Sequence, residues 1–346
     1  MTLAPATGAV RWSQSNQTCL DLHGFAYSSD PHVASTPDGQ RVILGLGYGF
    51  VRPPGFEESV WVSGGFDVDS GAPEGGADVG FVWGLRGSQL VGFKQAPSGP
   101  GLTGRTLLLA TVDGSLQRSI PFGLAGAGSS GPVEVTLGAQ YFFHSGYGAL
   151  STEPGGTAAG NGLRAFSIAA PDPGCGGSSE CPVWATATDG RPSVAVLDGD
   201  AATAYVVTDV GTVYAIDSTS GAVRWTAAAG GAGKPALAGD QLFVPTFDGR
   251  VVVLNAAGCG SPTCTPQGEF STSSTSPVSS PIVAGDVLYT TAGGSVFAFA
   301  AAGCGTTPCP PLWSVATGGA SATSPVVTNG RLYVSIGNAL IAYGLP

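Results

Sequence analysis

One hairpin pattern recurs four times in the C-terminal half of this chain, and it limits the available folds more than any other feature. TAYVVTDVGTVYAI (203–216), QLFVPTFDGRVVVL (241–254), VLYTTAGGSVFAF (287–299) and RLYVSIGNALIAY (331–343) superpose on one another. Each is an apolar run with period two, a turn containing glycine, and a second such run. Alternation carried by β-branched and aromatic residues predicts half-buried antiparallel strands. A unit of this size cannot bury its apolar face alone, so its repetition predicts an array in which each unit packs on its neighbours.

The two chain ends are predicted to meet in that array. ATGAVRWSQ (6–14) shares the pentapeptide GAVRW with TSGAVRWTA (219–227), yet lies at the opposite end of the sequence. The last repeat, from residue 320, holds three strands, and the N-terminal segment supplies a fourth. Pairing the first strand with the last three closes a ring and hides the sheet edges. The expectation is an all-β fold, a single β-propeller over 1–346 with four-stranded antiparallel blades. Their bounds are 25–77, 78–127, 131–190, 191–231, 232–275, 276–319, and 320–346 with 1–16. Seven blades average 346/7, about 49 residues, within the range of such repeats. The irregular first two leave six or eight open.

Composition narrows the compartment and the partners. Glycine (56) and proline (26) are abundant, but they fall at the ends of apolar runs and read as turns. The net charge is −10, without a basic run, which argues against a nucleic-acid partner. No apolar run reaches the ~20 residues of a membrane-spanning helix. MTLAPATGAVRW has neither the basic segment nor the apolar stretch of a signal peptide. The chain is therefore expected to be a mature form, or a domain of a longer exported product.

Six of the seven cysteines form close pairs, Cys175 with Cys181, Cys259 with Cys264, and Cys304 with Cys309. The last two lie in near-identical contexts, AAGCGSPTC and AAGCGTTPC. A short loop between adjacent antiparallel strands brings such cysteines within disulfide reach. Zinc would need pairs from different repeats to converge. Disulfides predict an oxidising compartment, hence a secreted, periplasmic or cell-surface protein. Cys19 is left over.

The motif D-x-x-(S/T)-G-x-V-R-W of 217–225, with SSPIVAGDVLY (279–289) and TSPVVTNGRLY (323–333), resembles the PQQ-like β-propeller repeat of the quinoprotein alcohol dehydrogenase-like superfamily. The resemblance is strong over 191–346 and 6–14, fair over 105–190 and weak over 25–104. It implies a propeller whose blade-end tryptophans, Trp12, Trp184, Trp225 and Trp313, dock between blades. It does not settle activity, because the superfamily includes dehydrogenases and outer-membrane assembly scaffolds. Its enzymes hold their quinone with adjacent cysteines, calcium and a catalytic aspartate. This sequence has no adjacent cysteines, so no quinone or other cofactor and no catalytic residue is expected.

Other chemistry is thin. Asp67, Asp69, Glu74 and Asp78 form the one acidic cluster, FDVDSGAPEGGAD, a weak calcium candidate. Its glycine falls one place early and its glutamate too close for a calcium loop, so it reads as a solvated turn. The three histidines, His23, His32 and His144, lie in no metal-binding spacing. Asn16-Gln17-Thr18 fits a glycosylation acceptor.

One asymmetry points to function. The turns DVG (209–211), FDG (247–249), AGG (292–294) and IGN (336–338) are tight, whereas YGFVRPPGFEE (48–58), KQAPSGPGLTG (94–104) and GYGALSTEPGGTAAGN (146–161) fill the same connection in the first three blades. Long loops on a rigid scaffold carry function or simply decorate it. The candidate binding residues are Tyr48, Phe50, Arg52, Phe56, Glu57, Glu58, Lys94, Tyr147 and Glu153, with Arg105 and His144 at the loop margins. The expected function is a non-enzymatic scaffold that binds a protein or glycan there. The alternatives are an enzyme, quinone-dependent or using loop carboxylates such as Glu57, Glu58 and Glu153, and a structural module of a larger surface protein.

Overall fold

A strand in which every residue is apolar, rather than every second one, must be covered on both faces. Thr203–Val207 and Val287–Ala292 approach this, apolar but for Thr203, Thr290 and Thr291, and every residue in each is buried. The computed structural model describes the strands between residues 9 and 123 as backbone, and residues 134–146, 161–168, 182–231, 233–318, 322–336 and 339–344. Among these residues the strands form seven sheets.

The third sheet is Glu134–Leu137, Tyr141–Gly146, Gly162–Ser167 and Trp184–Ala187, paired in chain order. The fourth is Val196–Leu197, Thr203–Val207, Thr212–Asp217 and Val223–Ala228; the fifth is Ala236–Ala238, Gln241–Pro245, Arg250–Asn255 and Gly268–Ser271. The sixth comprises Ile282–Ala284, Val287–Ala292, Ser295–Ala300 and Trp313–Ala316. Val326–Thr328, Arg331–Ile336 and Ala339–Gly344 make the seventh, and Ala9–Ser15 completes it by pairing antiparallel with Ala339–Gly344. Val10 lies opposite Tyr343 and Trp12 opposite Ala342. The second sheet is Phe81–Arg86, Gln89–Gln95, Gly104–Thr111 and Leu116–Gly123.

The first sheet departs from the expected blade. Gly39–Arg52 pairs along one edge with both Ala26–Ser28 and His32–Thr36, and along the other with Phe56–Asp67. Pairing persists to Arg52 opposite Phe56, so the connection expected to begin at Tyr48 is the end of a long hairpin. The reason lies in composition: Tyr48 to Arg52 and Phe56 to Val60 carry no proline, and Pro53-Pro54-Gly55 confines the chain-breaking residues to the tip.

The core lies between sheets. Tyr205, Val207, Val213 and Trp225 pack against Leu242, Val244, Val252 and Leu254 of the fifth sheet. Val206 and Ile216, on the other face, pack against Phe143, Leu163 and Ala165 of the third. The same arrangement joins the fifth sheet to the sixth and the sixth to the seventh. From the fourth sheet to the seventh, first strands of neighbouring sheets lie side by side, and Val326–Thr328 lies against His32–Thr36.

The repeat motif explains how the third strand of the fourth sheet turns into its outer strand. In the fourth sheet Asp217 Oδ1 accepts from the amides of Thr219 (3.1 Å) and Ser220 (2.9 Å), while Oδ2 pairs with Arg224 at 2.7 Å. The Arg224 guanidinium and these turn donors hold the Asp217 carboxyl well below the usual carboxylate range.

Two further features concern sheet edges. Trp184 Nε1 donates to the Ser218 carbonyl of the next sheet (3.0 Å), and Trp225 Nε1 to that of Ala256 (3.2 Å). The tryptophans therefore dock between sheets. The disulfides Cys259–Cys264 and Cys304–Cys309 are both formed. They do not simply link adjacent antiparallel strands, as the spacing suggested. Thr263–Cys264 pairs in parallel with Thr226–Ala227, as a fifth strand on the fourth sheet, and Cys309 bridges in parallel to Phe270. Each disulfide loop covers the outer edge of the preceding sheet, where unpaired amides would otherwise face solvent. Cys19, Cys175 and Cys181 lie outside the described residues.

Candidate binding face

The connections between second and third strands are built from threonine, aspartate and glycine, residues whose short side chains complete turns. In the fourth sheet the Thr208 amide donates to the Thr212 carbonyl (2.8 Å), and the Gly211 amide to that of Thr208 (2.9 Å). The Arg191 amide donates to Asp209 Oδ1 (2.8 Å) and Thr212 Oγ1 to Asp189 Oδ2 (2.5 Å), tying this turn to the segment that enters the sheet. In the fifth sheet Thr246 Oγ1 donates to Asp248 Oδ1 (2.6 Å). Arg250 reaches Asp248 at 2.7 Å and Glu269 at 2.6 Å. The Arg250 guanidinium and the Thr246 hydroxyl together hold the Asp248 carboxyl below its ordinary range.

In these two turns polar groups tie down the base and leave an apolar side chain at the tip. Val210 is 63% exposed and Phe247 47% exposed. Both were missed in the sequence, where the signal was an apolar residue inside DVG and FDG. The turn needs no apolar residue at that position, so burial in the fold does not account for it. These two turns thus present apolar tips among Asp189, Asp209 and Asp248.

The expected loop residues are placed unevenly. Tyr48, Phe50 and Arg52 lie at alternate positions on one strand, opposite Val60, Glu58 and Phe56, and Glu57 lies opposite Val51. They belong to a hairpin rather than a loop. Lys94 and Arg105 are also strand residues, opposite Thr106 and Gln95. His144 is corrected most: it is buried in the third sheet, opposite Arg164, because the strand Tyr141–Gly146 continues past it. Burial, reinforced by the Arg164 charge, lowers its pKa to about 3. Tyr147 and Glu153 lie outside the described residues, as do Asp69, Glu74, Asp78 and the segment 16–18; Asp67 ends a strand. Among the described residues no three or more His, Cys, Asp or Glu side chains group as metal ligands. Likewise no helix among them is long and apolar enough to cross a membrane.

Comparison with known proteins agrees with this architecture. The family model described as outer membrane protein assembly factor BamB matches residues 179–305, a little over a third of the chain. Among solved structures, the crystal structure of BamB from Moraxella catarrhalis superposes with a TM-score of 0.53 at 14% identity, over 99% of this chain and 98% of that one. At that identity the likeness is one of fold. No curated protein matches the chain significantly. Over its compact repeats the chain is thus similar to that family, and over its length to that fold.

Proposed function

We propose that the seven sheets are the blades of one closed propeller over residues 1–346, exported and non-enzymatic, which holds a protein partner on the face bearing its second-to-third-strand connections. Two contacts support closure: Val326–Thr328 against His32–Thr36, and Ala9–Ser15 paired with Ala339–Gly344. Disulfides support an extracytoplasmic site, since they persist in oxidising compartments. In such a ring these connections all emerge on one side. The assembly-factor description of the matching family makes a scaffold the nearest precedent.

The observation that carries the reading is the pair of exposed apolar tips, Val210 and Phe247, on turns whose backbones are held by their own polar side chains. The sequence-level candidates Arg52, Phe56, Tyr147 and Glu153 belong to the same set of connections. Affinity capture from the exported fraction of the source cells tests it, with chemical cross-linking to map the contact. Val210→Ser with Phe247→Ser should abolish capture while changing stability by less than about 0.5 kcal/mol. Alanine at Arg52, Phe56 and Tyr147 should act alike. Undiminished capture, or cross-links on the opposite face, would overturn the reading; a glycan array run in parallel distinguishes a sugar from a protein.

A further inference from the structure

The outer strands of the third, fourth and sixth sheets carry tryptophan at one register position. Trp184, Trp225 and Trp313 lie opposite Ala165, Ala215 and Ala298, and Trp12 lies opposite Ala342 at the same place in the seventh. In the fifth sheet that position is Gly268, opposite Val253. The substitution is legible in the alignment of PQGEF (266–270) with PLWSV (311–315) and PVWAT (182–186).

The place such a ring would occupy remains in the structure. Ala301-Ala302-Gly303-Cys304 repeats Ala256-Ala257-Gly258-Cys259, and Gly303 and Gly258 share a backbone φ of 90° and 89°. A Cβ on Gly258 would strike the Trp225 ring at 2.6 Å, whereas one on Gly303, or on Gly268 itself, meets nothing within 4 Å. The space is a cavity of about 180 Å³, lined among others by Gly268, Val253, Gln267, Ala301, Gly303 and Cys304. One sheet earlier, two side chains donate to the Ala256 carbonyl, Tyr205 Oη (3.0 Å) and Trp225 Nε1 (3.2 Å). Facing Ala301, their counterparts are Phe243 and Gly268, neither of which carries a donor.

We propose that this slot binds an indole ring from outside the polypeptide, with its N–H donated to the Ala301 carbonyl and its face against Gly303. The size suits it: an apolar cavity of about 150 Å³ accepts benzene, and this one also opens on one side. The indoles of Trp184 and Trp225, which donate to the Ser218 and Ala256 carbonyls in the two preceding slots, set the expected orientation. Gln241, Glu269, Thr306 and Thr307 add polar groups to the lining. The slot lies at the strand ends opposite the apolar tips, so it stands or falls independently of the scaffold reading.

The test is titration of indole into the whole protein, followed by thermal shift and by NMR shifts of the Gly268 and Gly303 amides. Indole should bind saturably and move those amides. 1-Methylindole, lacking the donor, should bind about fivefold to tenfold more weakly, as expected for one buried hydrogen bond. Gly268→Trp should raise the melting temperature and abolish binding by filling the slot internally; Gly268→Leu should block it if the tryptophan variant folds poorly. N-acetyltryptophanamide identifies the source, since comparable binding indicates a tryptophan side chain and binding of indole alone a free small molecule. Failure of indole to bind the wild type, or binding to both Gly268 variants undiminished from wild type, overturns the proposal.

Discussion

At the scale of single residues, the contacts between sheets depend on glycines that make room for a neighbour's indole. Gly258 has φ +89° and faces Trp225, so alanine there adds backbone strain, on the order of 1–3 kcal/mol, and a clash with the ring. Gly303 has the same backbone with no ring before it. Gly258→Ala should therefore destabilise more than Gly303→Ala, by about 1–3 kcal/mol of overpacking, measured by urea denaturation. Equal losses would show that strain alone matters. His144 supplies a second prediction. Burial lowers its pKa from 6.5 to about 3, so the unfolded chain takes up a proton that the folded chain refuses. Its contribution is complete above pH 6.5 and declines as the pH falls toward 3. Replacing it, in His144→Gln, should flatten the acid side of the stability profile over that window; an unchanged slope would place the acid sensitivity elsewhere.

At the scale of elements, the disulfide loops act as clips on the sheet edges. The Thr226 amide donates to Pro262 (2.9 Å) and the Ser271 amide to Cys309 (3.0 Å), so each outer strand has its solvent side covered by the next repeat. Loops this short contribute about 2 kcal/mol by restricting the unfolded chain. Cys259→Ser with Cys264→Ser should cost about that much and also speed hydrogen exchange at Thr226, with Ser271 unaffected. Exchange at Thr226 that stays slow would mean that pairing, rather than the covalent link, holds the clip. The hairpin repeat was legible because strand alternation is local. The clip was not: parallel pairing between repeats depends on how neighbouring sheets are stacked, which no spacing of cysteines reveals. The long hairpin at Arg52 and Phe56 was also missed, because its prolines lie at the tip of the pairing rather than at its start.

At the scale of the whole molecule, the seventh sheet draws on both ends of the sequence. Residues 9–15 cover the edge of Ala339–Gly344, and the first strand of that sheet lies against the first sheet. Deleting residues 1–16 should lower the melting temperature and promote association through the bared edge, seen by calorimetry and light scattering. A monomer as stable as the intact chain would refute a closed ring.

The sequence by itself determined the antiparallel hairpins of the compact repeats and the meeting of Val10 and Trp12 with the last repeat, because alternation and turn chemistry act over a few residues. Tertiary structure alone decided which side chains meet across sheets. It buried His144, left Val210 and Phe247 in solvent, and exposed the slot beside Gly268. Each outcome depends on residues distant in the chain, whose contact is set by the stacking of sheets rather than by local preference.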